Sequence, residues 1–70
     1  MRKTYKVNCQ YGYSITGEKP PKLDETTEYV IISESKYFEY CVIIKRVDGK
    51  KYLGNDTWIV PERNLELVRI

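Results

Sequence analysis

Residues 58–68 read Trp-Ile-Val-Pro-Glu-Arg-Asn-Leu-Glu-Leu-Val, and this stretch predicts how the chain completes its fold. It holds the only tryptophan, then a proline, one polar turn and a second apolar run. Pro61 has no N–H to donate to a sheet, so a strand ends there or lies at an edge. We therefore predict a strand that stops at Pro61, one tight turn, and a closing strand from Leu65. Trp58 and Val60 share one strand face, because strand side chains alternate.

The rest of the chain is short and rich in aromatic residues. Its 70 residues predict one domain, spanning 1–70, near the smallest size that a single core stabilises. Seven tyrosines, one phenylalanine and one tryptophan supply much of the area to be buried. No apolar run is long enough to span a membrane, and no apolar segment follows the basic N-terminus as in a secretory signal. We therefore expect a cytoplasmic protein that makes no membrane contact.

The first half of the chain predicts two strands separated by a long loop. Apolar and polar residues alternate from about Thr4 to Tyr11, which is typical of a half-buried strand. Residues 14–27 are polar and contain three turn-forming residues, Gly17, Pro20 and Pro21. A loop of this length is usually functional or mobile. Residues 28–33 are rich in β-branched side chains and predict the second strand.

Residues 37–47 predict the third and longest strand. We assign its more apolar face to the core, namely Phe38, Tyr40, Val42 and Ile44. The dipeptide Asp48-Gly49 follows and favours a two-residue type I′ hairpin. That hairpin predicts the register of the next strand: Ile44 opposite Leu53, Lys45 opposite Tyr52 and Arg46 opposite Lys51.

Five predicted strands, a long loop after the first and a one-turn bridge before the last resemble an SH3-like small barrel. The similarity is carried by the Asp48-Gly49 hairpin, a short strand, and Trp58-x-Val60-Pro61 with its bridge into residues 65–68. It implies an all-β, five-stranded barrel but no activity, because small barrels host many functions. The Ala-Leu-Tyr-Asp-Tyr-like motif and the tryptophan pair of peptide-binding SH3 domains are missing. The lysine-rich and tyrosine-rich composition also resembles small proteins of Gram-positive bacteria and their phages.

The residues that commonly carry catalysis are sparse, so we do not expect an enzyme. The chain has no histidine to act as a general base near neutral pH, and its four glycines are isolated. Cys9 and Cys41 lie in apolar segments without a CxxC pair, which predicts two buried free thiols. The carboxylates Asp24, Glu25 and Glu28 are interpreted as a solvated loop. No metal site or cofactor is predicted.

Protein binding is the first functional hypothesis. Tyr11, Tyr13 and Tyr37 are predicted to lie partly exposed at one end of the barrel, and tyrosine is enriched in interface hot spots. The acidic residues of the long loop would flank them. The competing interpretation is that these tyrosines fill a core that is short of leucine and phenylalanine. The hypothesis is a non-enzymatic binding module, in one form a phage-type modulator of a host protein.

Nucleic-acid binding is the second hypothesis, and it rests on a basic hairpin. Basic groups beside an aromatic ring are the usual components of a single-strand site. Here they are Lys45, Arg46, Lys50 and Lys51, with Tyr52 as the aromatic residue. The competing interpretation is that lysines on a hairpin protect a strand edge from aggregation. A third hypothesis is a structural subunit that self-associates through an exposed strand edge.

Overall fold

The computed structural model describes residues 3–14, 21–47 and 57–70. Within these ranges the chain forms one sheet of five antiparallel strands. The strands are β1 (Thr4–Val7), β2 (Tyr29–Glu34), β3 (Cys41–Arg46), β4 (Thr57–Pro61) and β5 (Leu65–Arg69). A 3-10 helix of one turn, Glu62–Asn64, joins β4 to β5. The fold is therefore all-β, as predicted, and no helix in these ranges is long and apolar enough to cross a membrane.

The strand order is β4-β3-β2-β1-β5, so β4 and β5 lie at the two edges of the sheet. The segment after β1 crosses to the β4 edge, where Tyr13 forms an isolated bridge with Ile59. The N–H of Tyr13 donates to the Ile59 carbonyl at 3.0 Å, and the N–H of Ile59 donates back at 2.7 Å. This bridge explains why Ile59 is as deeply buried as its neighbours, although it lies on the opposite face from Trp58 and Val60.

The stretch from Trp58 onward has the predicted conformation. β4 ends at Pro61, which has extended backbone angles, and the single 3-10 turn follows directly. The N–H of Leu65 donates to the Glu62 carbonyl and closes the turn, so β5 starts at the predicted residue. Trp58 and Val60 both belong to the buried core cluster, whereas Ile59 between them does not, which confirms that they share the core face.

The core is built around the Trp58 indole. Its Nε1 donates to the Pro21 carbonyl at 2.8 Å, which anchors the long loop to the core. The Tyr29 ring meets the indole edge-on, with ring centres 5.5 Å apart and an interplanar angle of 86°. Edge-on pairs of this kind add about 0.5–1.5 kcal/mol beyond the buried area. The buried cluster consists of Val7, Leu23, Tyr29, Val42, Ile44, Trp58 and Val60.

The predicted third strand was wrong in its first four residues. Val42 and Ile44 are buried as expected, but Phe38 is 43% exposed and Tyr40 is 86% exposed. β3 begins only at Cys41, which lies opposite Pro61 of β4. This pair is not hydrogen-bonded, because Ile59, two residues earlier on β4, directs its backbone groups outward to Tyr13, and Pro61 has the same orientation. One further bond follows, from the Glu62 N–H to the Tyr40 carbonyl, and the pairing ends where Tyr40 takes a positive φ angle and the 3-10 turn begins.

The predicted hairpin register was also wrong. Ile44 lies opposite Trp58 rather than Leu53, and Lys45 lies opposite Thr57 rather than Tyr52. Register is strongly specified wherever one strand face is buried. Pairing Ile44 with the bulky indole places both side chains in the core, and that burial favours the observed register of β3 against β4. The turn residues Asp48 and Gly49 lie outside the described residues.

The first two strands match the prediction more closely. β1 begins at Thr4 as predicted but ends at Val7, because the chain then leaves β2 and β5. The Gln10 carbonyl accepts a hydrogen bond from the Leu23 N–H at 2.8 Å instead of joining the sheet. β2 is displaced from the prediction by one residue at each end. Cys9 and Cys41 are free, as predicted, but each is only partly buried.

Candidate interaction surface

Gly12 determines how the two tyrosines beside it are presented. The glycine packs with its backbone against the core face of β4, beside Trp58 and Val60. Because side chains alternate along an extended segment, Tyr11 and Tyr13 point away from that contact. Both rings are largely exposed, as the protein-binding hypothesis required, and do not fill the core as in the competing interpretation.

The turn between β2 and β3 presents three further aromatic rings. The Ser35 Oγ accepts hydrogen bonds from the backbone N–H groups of Tyr37 and Phe38, at 3.1 and 3.3 Å. The Ser35 N–H donates to the Cys41 carbonyl at 3.0 Å, which closes the turn. Serine favours such local side-chain to backbone bonds. With the backbone occupied in this way, the aromatic side chains of residues 37, 38 and 40 project outward.

A ring stack joins the two exposed segments. The Tyr13 and Phe38 rings lie 4.8 Å apart between centres, with an angle of 24° between their planes. We name the surface built on this stack the aromatic patch, consisting of Tyr11, Tyr13, Tyr37, Phe38 and Tyr40. The sequence pointed to the three tyrosines at 11, 13 and 37. The sequence did not point to Phe38 and Tyr40. These two residues continue the every-second-residue apolar pattern of Val42 and Ile44, which are buried in β3.

Tyr40 has a backbone conformation that is unusual for its residue type. Its φ angle is 60°, in the left-handed region that side chains with a Cβ disfavour by about 1–2 kcal/mol. The Tyr40 carbonyl accepts a hydrogen bond from the Glu62 N–H at 2.9 Å, which ties the turn to the 3-10 helix. The ring itself is almost fully exposed and buries little area in return. Backbone strain of this kind clusters at functional sites, which makes Tyr40 a candidate contact residue.

We predict that Tyr40→Asn raises the free energy of unfolding by about 0.5–1 kcal/mol, because asparagine tolerates the left-handed region. Urea denaturation followed by far-UV circular dichroism measures the change. Tyr37→Asn is the matched control, since it makes the same chemical change in the same turn without a positive φ. An equal gain in both variants would show that the backbone of Tyr40 is not strained.

Two residues of the predicted basic hairpin, Lys45 and Arg46, are described, and both make contacts within the protein. Lys45 is buried, and its ammonium donates to the carbonyls of Arg46 and Val47 at 3.2 and 3.3 Å. The Arg46 guanidinium lies 5.9 Å from the centre of the Trp58 ring, within the range of a cation–π contact. The other predicted members, Lys50, Lys51 and Tyr52, lie outside the described residues.

The predicted acidic flank divides into an exposed and a paired part. Asp24 is exposed, and its Oδ1 accepts hydrogen bonds from the N–H and the hydroxyl of Thr26, both at 2.8 Å. These bonds favour the carboxylate and hold the pKa of Asp24 below its usual value. Glu28 is partly buried, and its Oε1 accepts from the Thr4 hydroxyl at 2.7 Å and lies 3.3 Å from Arg69 Nε. Glu28 therefore contributes to joining β1, β2 and β5.

The described residues contain little that resembles a metal or thiol site. No group of three or more cysteine, aspartate or glutamate side chains in the described ranges is placed to hold a metal ion. Partial burial raises the pKa of the Cys9 thiol, and a hydrogen bond with Asn64 opposes that rise. A raised pKa lowers the thiolate fraction near neutral pH, and the thiolate is the reactive form.

Comparison with known proteins gives no relative from which a function could be transferred. No protein-family model matches the chain, and neither a curated protein nor a solved structure matches it.

Proposed function

We propose that the protein is a non-enzymatic binding module that contacts a protein partner through the aromatic patch. The observation that carries this proposal is the exposed Tyr13–Phe38 stack, together with the exposed Tyr40 that follows Phe38 by two residues and has a positive φ angle. Grouped rings in water cost free energy that burial against a partner recovers, and tyrosine is enriched among residues that dominate binding energy. In the form that we favour, the protein is a small modulator of a host protein, of the kind that phages of Gram-positive bacteria encode.

The patch is suited to binding because its backbone is held in place before a partner arrives. Tyr13 is paired on both backbone groups with Ile59, and Tyr40 is tied to Glu62. Aromatic side chains have only two rotatable bonds and therefore lose little entropy when they are buried at an interface. A patch with a fixed backbone and rigid rings pays less of the ordering cost that weakens association.

We further propose that the sheet has an SH3-like barrel architecture. Three observations support this assignment. The strand order β4-β3-β2-β1-β5 places the first and last strands side by side, and the Tyr13–Ile59 bridge brings the segment after β1 to the opposite edge. The 3-10 turn between the last two strands is a further similarity. The architecture supports a role as a scaffold and does not itself identify a partner.

The test is capture of partners from a Gram-positive cell lysate by the immobilised protein, with and without nuclease. We expect a protein band that survives nuclease and that the Tyr13→Ala/Phe38→Ala double variant retains at least tenfold less, because removing hot-spot residues typically costs about 2 kcal/mol or more. Lys6→Ala is the matched control, an exposed truncation on β1 outside the patch.

Two results contradict the proposal. A protein band captured equally by the wild type and the double variant would exclude the patch as the binding surface. Retained material that disappears with nuclease would favour the alternative function, nucleic-acid binding by Lys45, Arg46, Lys50, Lys51 and Tyr52. Such binding would also fall steeply with added salt.

A further inference from the structure

The outer edge of β5 offers a second binding surface that does not use the aromatic patch. β5 lies at the end of the sheet, and β1 is its only neighbour among the described strands. Leu67, Val68 and Ile70 are 48%, 40% and 70% exposed, so apolar groups are accessible along this edge. Exposed apolar edge strands are ready templates for another strand.

The alternation of hydrogen-bonded and non-hydrogen-bonded pairs between β1 and β5 identifies which backbone groups of β5 point away from the sheet. The Asn8 N–H donates to the Asn64 carbonyl at 3.0 Å, and the pairs Val7–Leu65, Lys6–Glu66 and Tyr5–Leu67 continue the same register. Bonded and non-bonded pairs alternate in an antiparallel ladder. Glu66 therefore directs its backbone groups toward β1, whereas Leu65 and Leu67 direct theirs away from the sheet. The Leu65 N–H already donates to the Glu62 carbonyl, so the outer edge offers the N–H and carbonyl of Leu67 and the carbonyl of Leu65.

Self-pairing of this edge gives Glu66 no oppositely charged partner. Two copies of β5 could pair with Leu67 opposite Leu67, which places Glu66 opposite Val68. Pairing Leu65 of each copy with Leu67 of the other places Glu66 directly opposite Glu66 of the second copy. Like charges that face each other across a strand pair are destabilising.

We infer that the β5 edge binds an extended segment of a partner protein that places a basic residue opposite Glu66, between two apolar residues. The apolar residues would face Leu65 and Leu67, accept a hydrogen bond from the Leu67 N–H, and donate to the carbonyls of Leu65 and Leu67. A basic side chain would continue an alternation of charge across three strands, since Lys6 of β1 lies on the other side of Glu66. Arg69 does not supply this charge at the edge, because its Nε lies 3.3 Å from Glu28 of its own chain.

The probe is a nine-residue peptide of alternating threonine and valine with lysine at its centre, and the control peptide has glutamate there. Peptides are titrated into ¹⁵N-labelled protein, and the Leu65 and Leu67 amide signals are followed. We expect these two amides to shift most, and the lysine peptide to bind about tenfold more tightly than the glutamate peptide. Glu66→Lys should reverse the preference.

Leu67→Pro tests the backbone part of the inference without breaking the bonds between β5 and β1. Proline removes only the outward N–H at this position, and prolines are tolerated at such edge sites. We expect Leu67→Pro to abolish binding of the lysine peptide, whereas Leu67→Ala, which keeps the N–H, should weaken it less than tenfold.

Three outcomes would overturn the inference. The first is equal affinity for the lysine and glutamate peptides. The second is a set of shifted amides away from β5. The third is a molecular mass in solution that rises with protein concentration for the wild type and is lower for Leu67→Pro. That result would show that the β5 edge binds a second copy of the chain. None of these results bears on the aromatic patch, so the two surfaces are tested independently.

Discussion

Gly12→Ala is expected to lower the free energy of unfolding by about 2–4 kcal/mol. A Cβ at this position would lie 2.9 Å from Trp58 Cβ, 3.1 Å from the Ile59 carbonyl oxygen and 3.1 Å from Val60 Cγ1. Two of these atoms belong to the β4 backbone or are bonded directly to it, so they cannot move aside as the end of a flexible side chain could. Overpacking of this kind costs about 1–3 kcal/mol.

Movement of the Gly12 segment would add a second cost. The neighbouring Tyr13 exchanges two backbone hydrogen bonds with Ile59, and each contributes about 0.5–1.5 kcal/mol. A domain of this size has a stability of about 4–10 kcal/mol in total. The variant should therefore be close to unfolding at physiological temperature, and any loss of the bridge would also displace the Tyr13 ring from the aromatic patch.

Urea denaturation of Gly12→Ala and of Gln10→Ala separates this contact from a general effect on the segment. Gln10 has an exposed side chain, and only its backbone carbonyl bonds to Leu23, so its truncation should change stability by less than about 0.5 kcal/mol. Equal stability of the two variants would contradict the close packing of Gly12 against β4.

The accuracy of the sequence-based prediction depended on whether the deciding interactions were local. Pro61 is the last residue of β4 with its missing N–H on the outer edge, and the turn that follows is three residues long, so this part could be predicted from adjacent residues. The start of β3 depends on contacts across the sheet, where the Tyr40 carbonyl meets the Glu62 N–H and the chain turns at the positive φ angle of Tyr40. No local pattern distinguishes Tyr40 from Val42, and only the ladder of β4 shows where the strand begins.

The prediction of the hairpin register was wrong and the prediction of the aromatic patch was incomplete, both for the same physical reason. Asp48-Gly49 carries a strong local preference, but pairing Trp58 with Ile44 buries the largest side chain of the chain. The patch depends on contact between Tyr13 and Phe38, which are distant in sequence and come together only because the segment after β1 reaches β4. Exposure of the tyrosines could be proposed from composition, whereas the stack could not.

Removal of the Trp58 side chain should have the largest effect of any single substitution. Truncation of a fully buried aromatic residue to alanine costs about 3–5 kcal/mol, so Trp58→Ala is expected to be largely unfolded in a domain of this size. Trp58→Phe keeps a ring but loses volume and the indole donor, leaving the Pro21 carbonyl without its partner. We expect this variant to lose about 2–3 kcal/mol.

Tyr29→Phe provides the comparison that separates the hydrogen bond from the packing. It keeps the edge-on ring beside Trp58 and removes only the hydroxyl that accepts the Asp24 N–H at 3.1 Å. Its cost should be about 1 kcal/mol or less, because Asp24 is exposed and water replaces the lost acceptor. Far-UV circular dichroism is the appropriate probe, since the Trp58 variants lose the only indole fluorophore. If Trp58→Phe is as stable as Tyr29→Phe, the indole is not the centre of the core, and the register of β3 against β4 must have another cause.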